Sequence, residues 1–169
     1  TKIHPSIFKS KSLVNLDVSS NVNFSLFEKL AEDDIYMPSL NMLIIVNNSA
    51  SVPMKLIGMK QFPKLMVLLI DRNKVIFHDN FMSLSNTLES FSASGSNIAE
   101  LPTYMKNFEF LRRFDVRNNN ISFVNFEFLD VLQRKNEKIS WFYEVLFANN
   151  PVCKDPVIGK KINTMFHEA

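Results

Sequence analysis

One short pattern recurs along the chain and constrains its fold more than any other feature. In the stretch LRRFDVRNNNI, apolar side chains stand at Leu111, Phe114 and Val116, and Asn119 follows three residues later. The same spacing begins at six places, which are Leu13, Leu40, Leu65, Leu88, Leu111 and Phe142. The intervals between these starts are 27, 25, 23, 23 and 31 residues. Self-similarity at such a period indicates stacked structural repeats.

The alternation inside each copy of this frame predicts one short strand per repeat. Side chains alternate along a strand, so the apolar frame residues point inward and the residues between them point outward. One repeat cannot bury its own apolar face, so its neighbours must cover it. We therefore expect the strands to pair into a parallel sheet. Between strands, apolar residues spaced by three and four, such as Leu101, Met105 and Phe108, predict short helical turns.

The asparagine that closes each frame predicts a ladder of side-chain amides. The chain turns sharply there and leaves backbone groups without partners in the sheet. An amide side chain offers both a donor and an acceptor, and buried polar groups need such partners. The fourth repeat carries Ser96 at this position. Because a hydroxyl is shorter, we expect a weaker rung there, with neighbouring Asn97 as a partial substitute.

The first twelve residues are interpreted as the tail of a preceding repeat. Ile3 and Ile7 precede Leu13 by ten and six residues, as Leu101 and Met105 precede the fifth frame. This match predicts at least one further coil before the described frames. The alternatives are a poorly ordered end and a simple N-terminal cap.

Residues 13–150 are assigned to six repeats and residues 151–169 to a C-terminal cap. The long fifth interval contains an amphipathic stretch that predicts a helix over residues 125–135. After Asn150 the pattern stops, with Pro151 and Pro156 as breaks. The apolar spacing from Ile158 to Phe166 then predicts a terminal helix that covers the end of the stack.

The frame, its period and its closing asparagine resemble the leucine-rich-repeat family over nearly the whole chain. The resemblance implies an α/β solenoid, a curved horseshoe with short parallel strands on its concave face and an irregular or helical convex side. Asn150-Pro151-Val152-Cys153 resembles the entry to the C-terminal cap of receptor-like members. A cap cysteine in secreted members usually has a disulfide partner, but Cys153 is the only cysteine of this sequence. Either a partner lies outside these residues, or Cys153 is a small core residue of an intracellular protein.

The remaining composition argues against several functions. The net charge is +2, which is no signature of a nucleic-acid partner. No apolar run approaches the length of a membrane span. His4, His78 and His167 are far apart, and no glycine-rich phosphate loop is present. We therefore predict no enzyme activity, no cofactor and no metal site.

The outward strand residues of the second and third repeats are unusually apolar. An ordinary solvated sheet face would be polar there, and a contiguous exposed apolar surface usually marks a contact site. We define the apolar patch as Met42, Ile44, Val46, Val67 and Leu69. The alternatives are that another segment covers these residues, or that they only strengthen the strands.

Charged residues complete the predicted partner-binding surface. Asp71 follows the apolar patch, and the fifth repeat adds Arg113, Asp115 and Arg117 beside Arg112. Such a cluster can steer an acidic partner, or it can be an ordinary solvated face.

The sequence therefore predicts a module that recognises a protein or peptide through its concave sheet. As part of a larger receptor-like protein it would be extracellular or on the cell surface. The alternative is an intracellular scaffold or regulatory subunit of the same family.

Overall fold

The computed structural model describes residues 4–21, 30–48, 51–138 and 144–166. Ile3 of the predicted preceding tail and Phe142 of the predicted sixth frame lie outside these residues, as does the end of the predicted cap, 167–169.

Within these described ranges, eight strands of three residues each form two parallel sheets. Two strands form the smaller sheet, β3 (Ser51–Pro53) and β5 (Lys74–Ile76). The six-stranded sheet follows chain order and contains β1 (Asn15–Asp17), β2 (Met42–Ile44), β4 (Val67–Leu69), β6 (Ser90–Ser92), β7 (Arg113–Asp115) and β8 (Glu144–Leu146). Each of these six strands lies inside one predicted frame, so the sheet predicted from the period is confirmed.

The register of the large sheet places equivalent frame residues side by side. The middle residue of every strand pairs with the middle residue of the next, from Leu16 and Leu43 through to Phe114 and Val145. All six middle residues are buried, and their two strand neighbours point to the opposite face. Because a one-residue slip would turn these six buried residues to solvent, burial fixes this register.

In the described part of the chain, short 3-10 turns and two α-helices connect or follow the strands. The helices are α1 (Phe126–Lys138) and α2 (Ile158–Phe166). The 3-10 turns span Pro5–Lys9, Glu32–Asp34, Met54–Leu56, Asp79–Asn86, Thr103–Asn107 and Pro151–Lys154. The predicted helix at residues 125–135 thus exists, but it continues to Lys138. Among the described residues no helix has both the length and the apolar character needed to cross a membrane.

The closing residues of the frames form the predicted ladder. The Asn48 Oδ1 accepts the backbone N–H of Asn21 at 2.7 Å, and the Asn73 Oδ1 accepts that of Asn48 at 3.1 Å. The ladder continues through Ser96 to Asn119, whose Oδ1 accepts the Ser96 N–H at 2.9 Å. Each rung therefore satisfies backbone groups of the preceding repeat, as buried polar groups require.

Ser96 forms the weak rung that its shorter side chain predicts. The Ser96 Oγ accepts the backbone N–H of Asn73 at a long 3.4 Å, and the same hydroxyl donates to the Ile70 backbone oxygen at 3.1 Å. Asn97 does not substitute for it. Asn97 is exposed, and its Oδ1 lies 3.4 Å from the Asn120 Nδ2.

Every large-sheet strand is followed by a residue in the left-handed conformation. This residue is the seventh after each frame start, with φ between 55° and 62°, and the six are Ser20, Asn47, Arg72, Gly95, Asn118 and Asn149. The positive φ turns the chain away from the strand direction and brings the closing residue into the ladder. Only glycine, and to a lesser extent asparagine, adopts this conformation at little cost.

Phenylalanine rings join the sheet to its connections in one continuous core. Phe91 contacts Phe81 at 5.4 Å and Phe114 at 5.9 Å between ring centroids, and Phe114 contacts Phe128 at 5.3 Å and Phe147 at 5.7 Å. The abundance of phenylalanine thus has a packing explanation in the described residues. The fold is of the α/β class, with a parallel six-stranded sheet.

Candidate functional site

The five residues of the apolar patch lie together on the solvent side of the large sheet. Met42 is in register with Val67, and Ile44 is in register with Leu69, on the adjacent strands β2 and β4. Val46 follows Ile44 on the same side, and all five side chains are partly exposed. Their inward neighbours in the two strands are fully buried, so the two strands are apolar on both faces.

Polar residues bound the apolar patch on both sides. Asn15 and Asp17 of β1 are exposed next to β2, and Ser90 and Ser92 of β6 stand next to β4. The apolar surface is therefore a stripe two strands wide, and the two strands lie about 4.8 Å apart. An apolar surface with a polar border has the layout of a protein contact site.

Asp71 lies at the border of the apolar patch and connects two repeats. Its Oδ1 accepts a hydrogen bond from the Ser92 hydroxyl at 2.6 Å and from the Ser94 backbone N–H at 2.7 Å. The sequence placed Asp71 on the partner-binding surface. Its partly exposed position is compatible with that role, but its hydrogen bonds also hold the ends of β4 and β6 together.

The charged residues of the fifth repeat are paired within the chain. The Arg113 Nε lies 3.0 Å from the Glu144 Oε2 on β8, and the Arg117 Nη2 lies 2.8 Å from the Asp115 Oδ2. Arg112 faces Glu89 at a longer 3.9 Å. The cluster is therefore nearly neutral, which weakens its expected role in steering an acidic partner.

The exposure of Asp115 differs from the sequence prediction, which placed the side chain in solvent. The residue is only 3% exposed, although it stands on the outward side of β7. Arg117, two residues later, reaches back and binds the carboxylate, so the negative charge of Asp115 is paired within the chain. Arg113 and Arg117 themselves remain partly exposed, with side-chain exposures of 46% and 40%.

Burial along one row of the outward face is greater in β6, β7 and β8 than in β1, β2 and β4, whereas Arg113 and Glu144 of the other row are exposed. In the row formed by the third strand residues, Asp17 is exposed, and Ile44 and Leu69 are partly exposed. The last three members of that row are 2%, 3% and 5% exposed, and they are Ser92, Asp115 and Leu146. Long charged side chains stand beside this buried part and can cover it with their aliphatic stems. The apolar patch is thus the part of the face that combines apolar character with access for a partner.

His4, His78 and Cys153 have structural roles. His4 and His78 each stand before a 3-10 turn, where the Nδ1 accepts a backbone N–H at 3.3 and 3.1 Å. The half-buried Cys153 donates its S–H to the Phe147 oxygen at 3.2 Å. Within the described part of the chain, no three side chains of the types His, Cys, Asp and Glu gather as metal ligands.

No protein-family model matches the chain, and no curated protein matches it either. The geometry of the sheet face is therefore the basis for assigning a function.

Proposed function

We propose that this chain is part of a leucine-rich-repeat solenoid that recognises a protein or peptide through the concave face of its sheet. The solenoid assignment is supported by six in-register strands in chain order and by the ladder of closing side chains that links consecutive repeats. It is also supported by the left-handed residue at one fixed position of every frame. These features repeat with the period of the sequence.

The observation that carries the binding proposal is the pairing of Met42 with Val67 and of Ile44 with Leu69 on the solvent side. These side chains and Val46 remain partly exposed, although each of their strands already buries an apolar residue on the inner face. On a solvated face these side chains keep apolar area in contact with water, whereas a partner that covers them removes that area from water. The occupant is expected to present apolar side chains in an extended or helical segment.

The test replaces the centre of the apolar patch and leaves the core unchanged. Peptides selected from a random display library on the wild-type chain should lose at least roughly tenfold in affinity for the double variant Ile44→Ser, Leu69→Ser, since two buried apolar contacts are lost. The matched control is Ile76→Ser on β5, which removes a 51% exposed isoleucine from the other sheet. Selected peptides that bind all three proteins equally would refute the assignment, provided that the double variant still unfolds cooperatively.

A second candidate, an intracellular scaffold or regulatory subunit with the same binding face, is favoured by Cys153. Its thiol donates to a backbone oxygen and is half-buried, which suits a reduced core residue. A receptor-like protein at the cell surface would more often pair such a cysteine. Thiol labelling of the protein isolated without reductant separates the two candidates: a labelled Cys153 after unfolding favours the intracellular protein, and a blocked one favours the receptor.

A further inference from the structure

Asp71 is a carboxylate at the border of the apolar patch, in the interior of the large sheet. It follows Leu69 by two residues on the outward side of β4, and the register that joins Ile44 to Leu69 places Asp71 beside Val46. The Asn47 N–H donates to the Asp71 backbone oxygen at 2.9 Å, in agreement with this register. Because β4 lies between β2 and β6, described strands flank Asp71 on both sides.

The two oxygens of the Asp71 carboxylate have different surroundings. The Oδ1 accepts the Ser92 hydroxyl at 2.6 Å and the Ser94 backbone N–H at 2.7 Å. An ionised carboxylate oxygen offers about two acceptor positions, so those of Oδ1 are filled. No described residue donates to Oδ2, and the residue is partly exposed. Asp71 thus presents one oxygen with open acceptor positions beside the apolar patch.

Asp71 also has no ion-pair partner among the described residues. Three carboxylates further along the sheet lie beside arginines of this chain, and the pairs are Glu89–Arg112 at 3.9 Å, Asp115–Arg117 at 2.8 Å and Glu144–Arg113 at 3.0 Å. Arg72, the cation next to Asp71 in the sequence, is exposed and forms no ion pair with a described carboxylate. A carboxylate without an ion-pair partner therefore borders the apolar patch, whereas the arginines of the fifth repeat are already paired.

We propose that the segment bound by the apolar patch carries a lysine next to its apolar residues, and that Asp71 selects this lysine. The proposal rests on the function proposed above and specifies the chemistry of the partner. The lysine ammonium donates to the Asp71 Oδ2, and the apolar side chains of the segment cover Ile44 and Leu69. Opposite charges at an interface contribute specificity more than affinity, so Asp71 favours a basic partner over an acidic one.

The filled Oδ1 favours lysine over arginine. A guanidinium binds a carboxylate best through two parallel N–H donors, one to each oxygen. Arg117 can bind Asp115 in this way because a single backbone N–H occupies the Asp115 Oδ1. At Asp71 two donors occupy Oδ1, so an arginine could bind only through Oδ2. An ammonium is a compact charge with three rotatable donors and needs only that one oxygen.

The test uses peptides selected from a random display library on the complete wild-type chain. The tightest peptide that loses affinity for the double variant Ile44→Ser, Leu69→Ser should contain a lysine. Replacement of this lysine by norleucine, which keeps the alkyl stem, should lower the affinity roughly fivefold to tenfold, and replacement by arginine should also lower it. The variant Asp71→Asn keeps a side-chain oxygen for the Ser92 and Ser94 donors but loses the charge. It should bind the lysine peptide as weakly as the wild type binds the norleucine peptide.

A double-mutant cycle assigns the loss to one contact. Asp71→Asn combined with the norleucine peptide should cost no more affinity than either change alone, because both remove the same interaction. The matched control is Glu100→Gln, which removes an exposed carboxylate outside the large sheet and should leave the affinity unchanged. The norleucine and arginine peptides test the contact on the wild-type chain, so the measurement does not depend on the folding of a variant.

Two kinds of failure can be distinguished. Selected peptides that require Ile44 and Leu69 but contain no lysine, or that bind equally well after its replacement by norleucine, would overturn the selection by Asp71 and leave the proposed function intact. Additive losses in the double-mutant cycle would have the same meaning. If no selected peptide depends on the apolar patch, the proposed function is wrong and the selection of lysine is wrong with it.

Discussion

The Asp115 carboxylate and the Arg117 guanidinium form a two-point ion pair at the end of β7. The Arg117 Nε lies 3.1 Å from the Asp115 Oδ1, and the Nη2 lies 2.8 Å from the Oδ2. The side chain of Asp115 is 4% exposed, whereas that of Arg117 is 40% exposed. The Asp115 Oδ1 also accepts the Arg117 backbone N–H at 3.1 Å. The carboxylate is therefore held by its own repeat, and its main role in the free chain is structural.

Replacement of Arg117 should reveal this role. Arg117→Ala leaves a buried carboxylate without its partner and should lower the free energy of unfolding by about 1–3 kcal/mol. The double variant Asp115→Asn, Arg117→Ala should recover part of the loss, because an amide is cheaper to bury unpaired than a charge. Urea denaturation at neutral pH measures both values.

The control for this pair is Asp17→Asn. Asp17 occupies the same frame position in β1 and accepts the Ser19 N–H at 2.9 Å, but it is exposed. Its replacement should change stability by less than about 0.5 kcal/mol, as surface substitutions usually do. If Arg117→Ala and the double variant Asp115→Asn, Arg117→Ala have the same free energy of unfolding, the buried charge of Asp115 is not the cause of the lost stability.

The ladder predicts a strong difference between two neighbouring asparagines. The Asn119 Oδ1 accepts the N–H groups of Ser96 and Ile98, both at 2.9 Å, and its Nδ2 donates to the Ala93 oxygen at 2.8 Å. Asn119→Ala should therefore cost about 1–3 kcal/mol of unfolding free energy. Asn120→Ala should cost far less, because among the described residues that exposed side chain reaches only Asn97, at 3.4 Å. Equal denaturation midpoints for these variants would contradict the ladder's contribution to stability.

The weak rung predicts a stabilising substitution. The Ser96 hydroxyl has one proton for the Ile70 and Ser94 oxygens, which lie 3.1 and 3.3 Å away. An asparagine supplies two protons and a longer reach, so Ser96→Asn should raise the unfolding free energy by about 0.5–1.5 kcal/mol. The control Ser122→Asn changes an exposed serine and should leave the midpoint unchanged. A destabilised Ser96→Asn variant would mean that the fully buried site cannot accommodate the larger side chain.

The strands and the ladder could be predicted because burial and backbone hydrogen bonding demand particular residue types. Leu16 and Phe114 are buried as the frame requires, and Asn48 and Asn119 bind the backbone as amides must. The partly exposed apolar residues Ile44 and Leu69 could also be placed, because the register of a parallel sheet follows from the frame.

Other features depend on contacts between repeats that no single frame displays. Asp17 and Asp115 share one frame position, yet one is exposed and the other is buried. Asp115 lies between β6 and β8 and is bound by Arg117, whereas Asp17 lies on β1, which has one described neighbour, and is followed by Ser19 at the equivalent position. The left-handed position was also not predicted, because Ser20 and Arg72 share it with Gly95 and three asparagines, so the residue types at this position are not uniform.

Gly95 tests the cost of that left-handed position. Its φ is +62°, and an added Cβ would meet only the Arg72 Cγ, at an ordinary 3.7 Å. The cost of Gly95→Ala is therefore conformational and should be about 1 kcal/mol of unfolding free energy. Gly95→Asn should cost clearly less, because asparagine tolerates this conformation, as it does at Asn118. Thermal and urea denaturation compare the two variants, and equal losses would point to a steric cause instead.

Tyr104 predicts a loss of stability at alkaline pH. Its hydroxyl donates to the His78 oxygen at 2.9 Å. Burial raises the pKa of Tyr104, and the Asp79 carboxylate raises it further. The folded chain therefore retains the phenol proton above about pH 10, where the unfolded chain loses it. Since the unfolded state then binds fewer protons, the free energy of unfolding should fall as pH rises above that value.

Tyr104→Phe isolates this contribution from other titrating groups. At about pH 8 the variant should be less stable by about 0.5–1.5 kcal/mol, because the hydrogen bond to His78 is lost. Between about pH 9 and pH 11 its urea midpoint should fall less steeply than that of the wild type. Tyr36→Phe, which changes a 50% exposed tyrosine, should follow the wild-type curve. Parallel curves for the wild type and Tyr104→Phe would show that ionisation of Tyr104 is not coupled to folding.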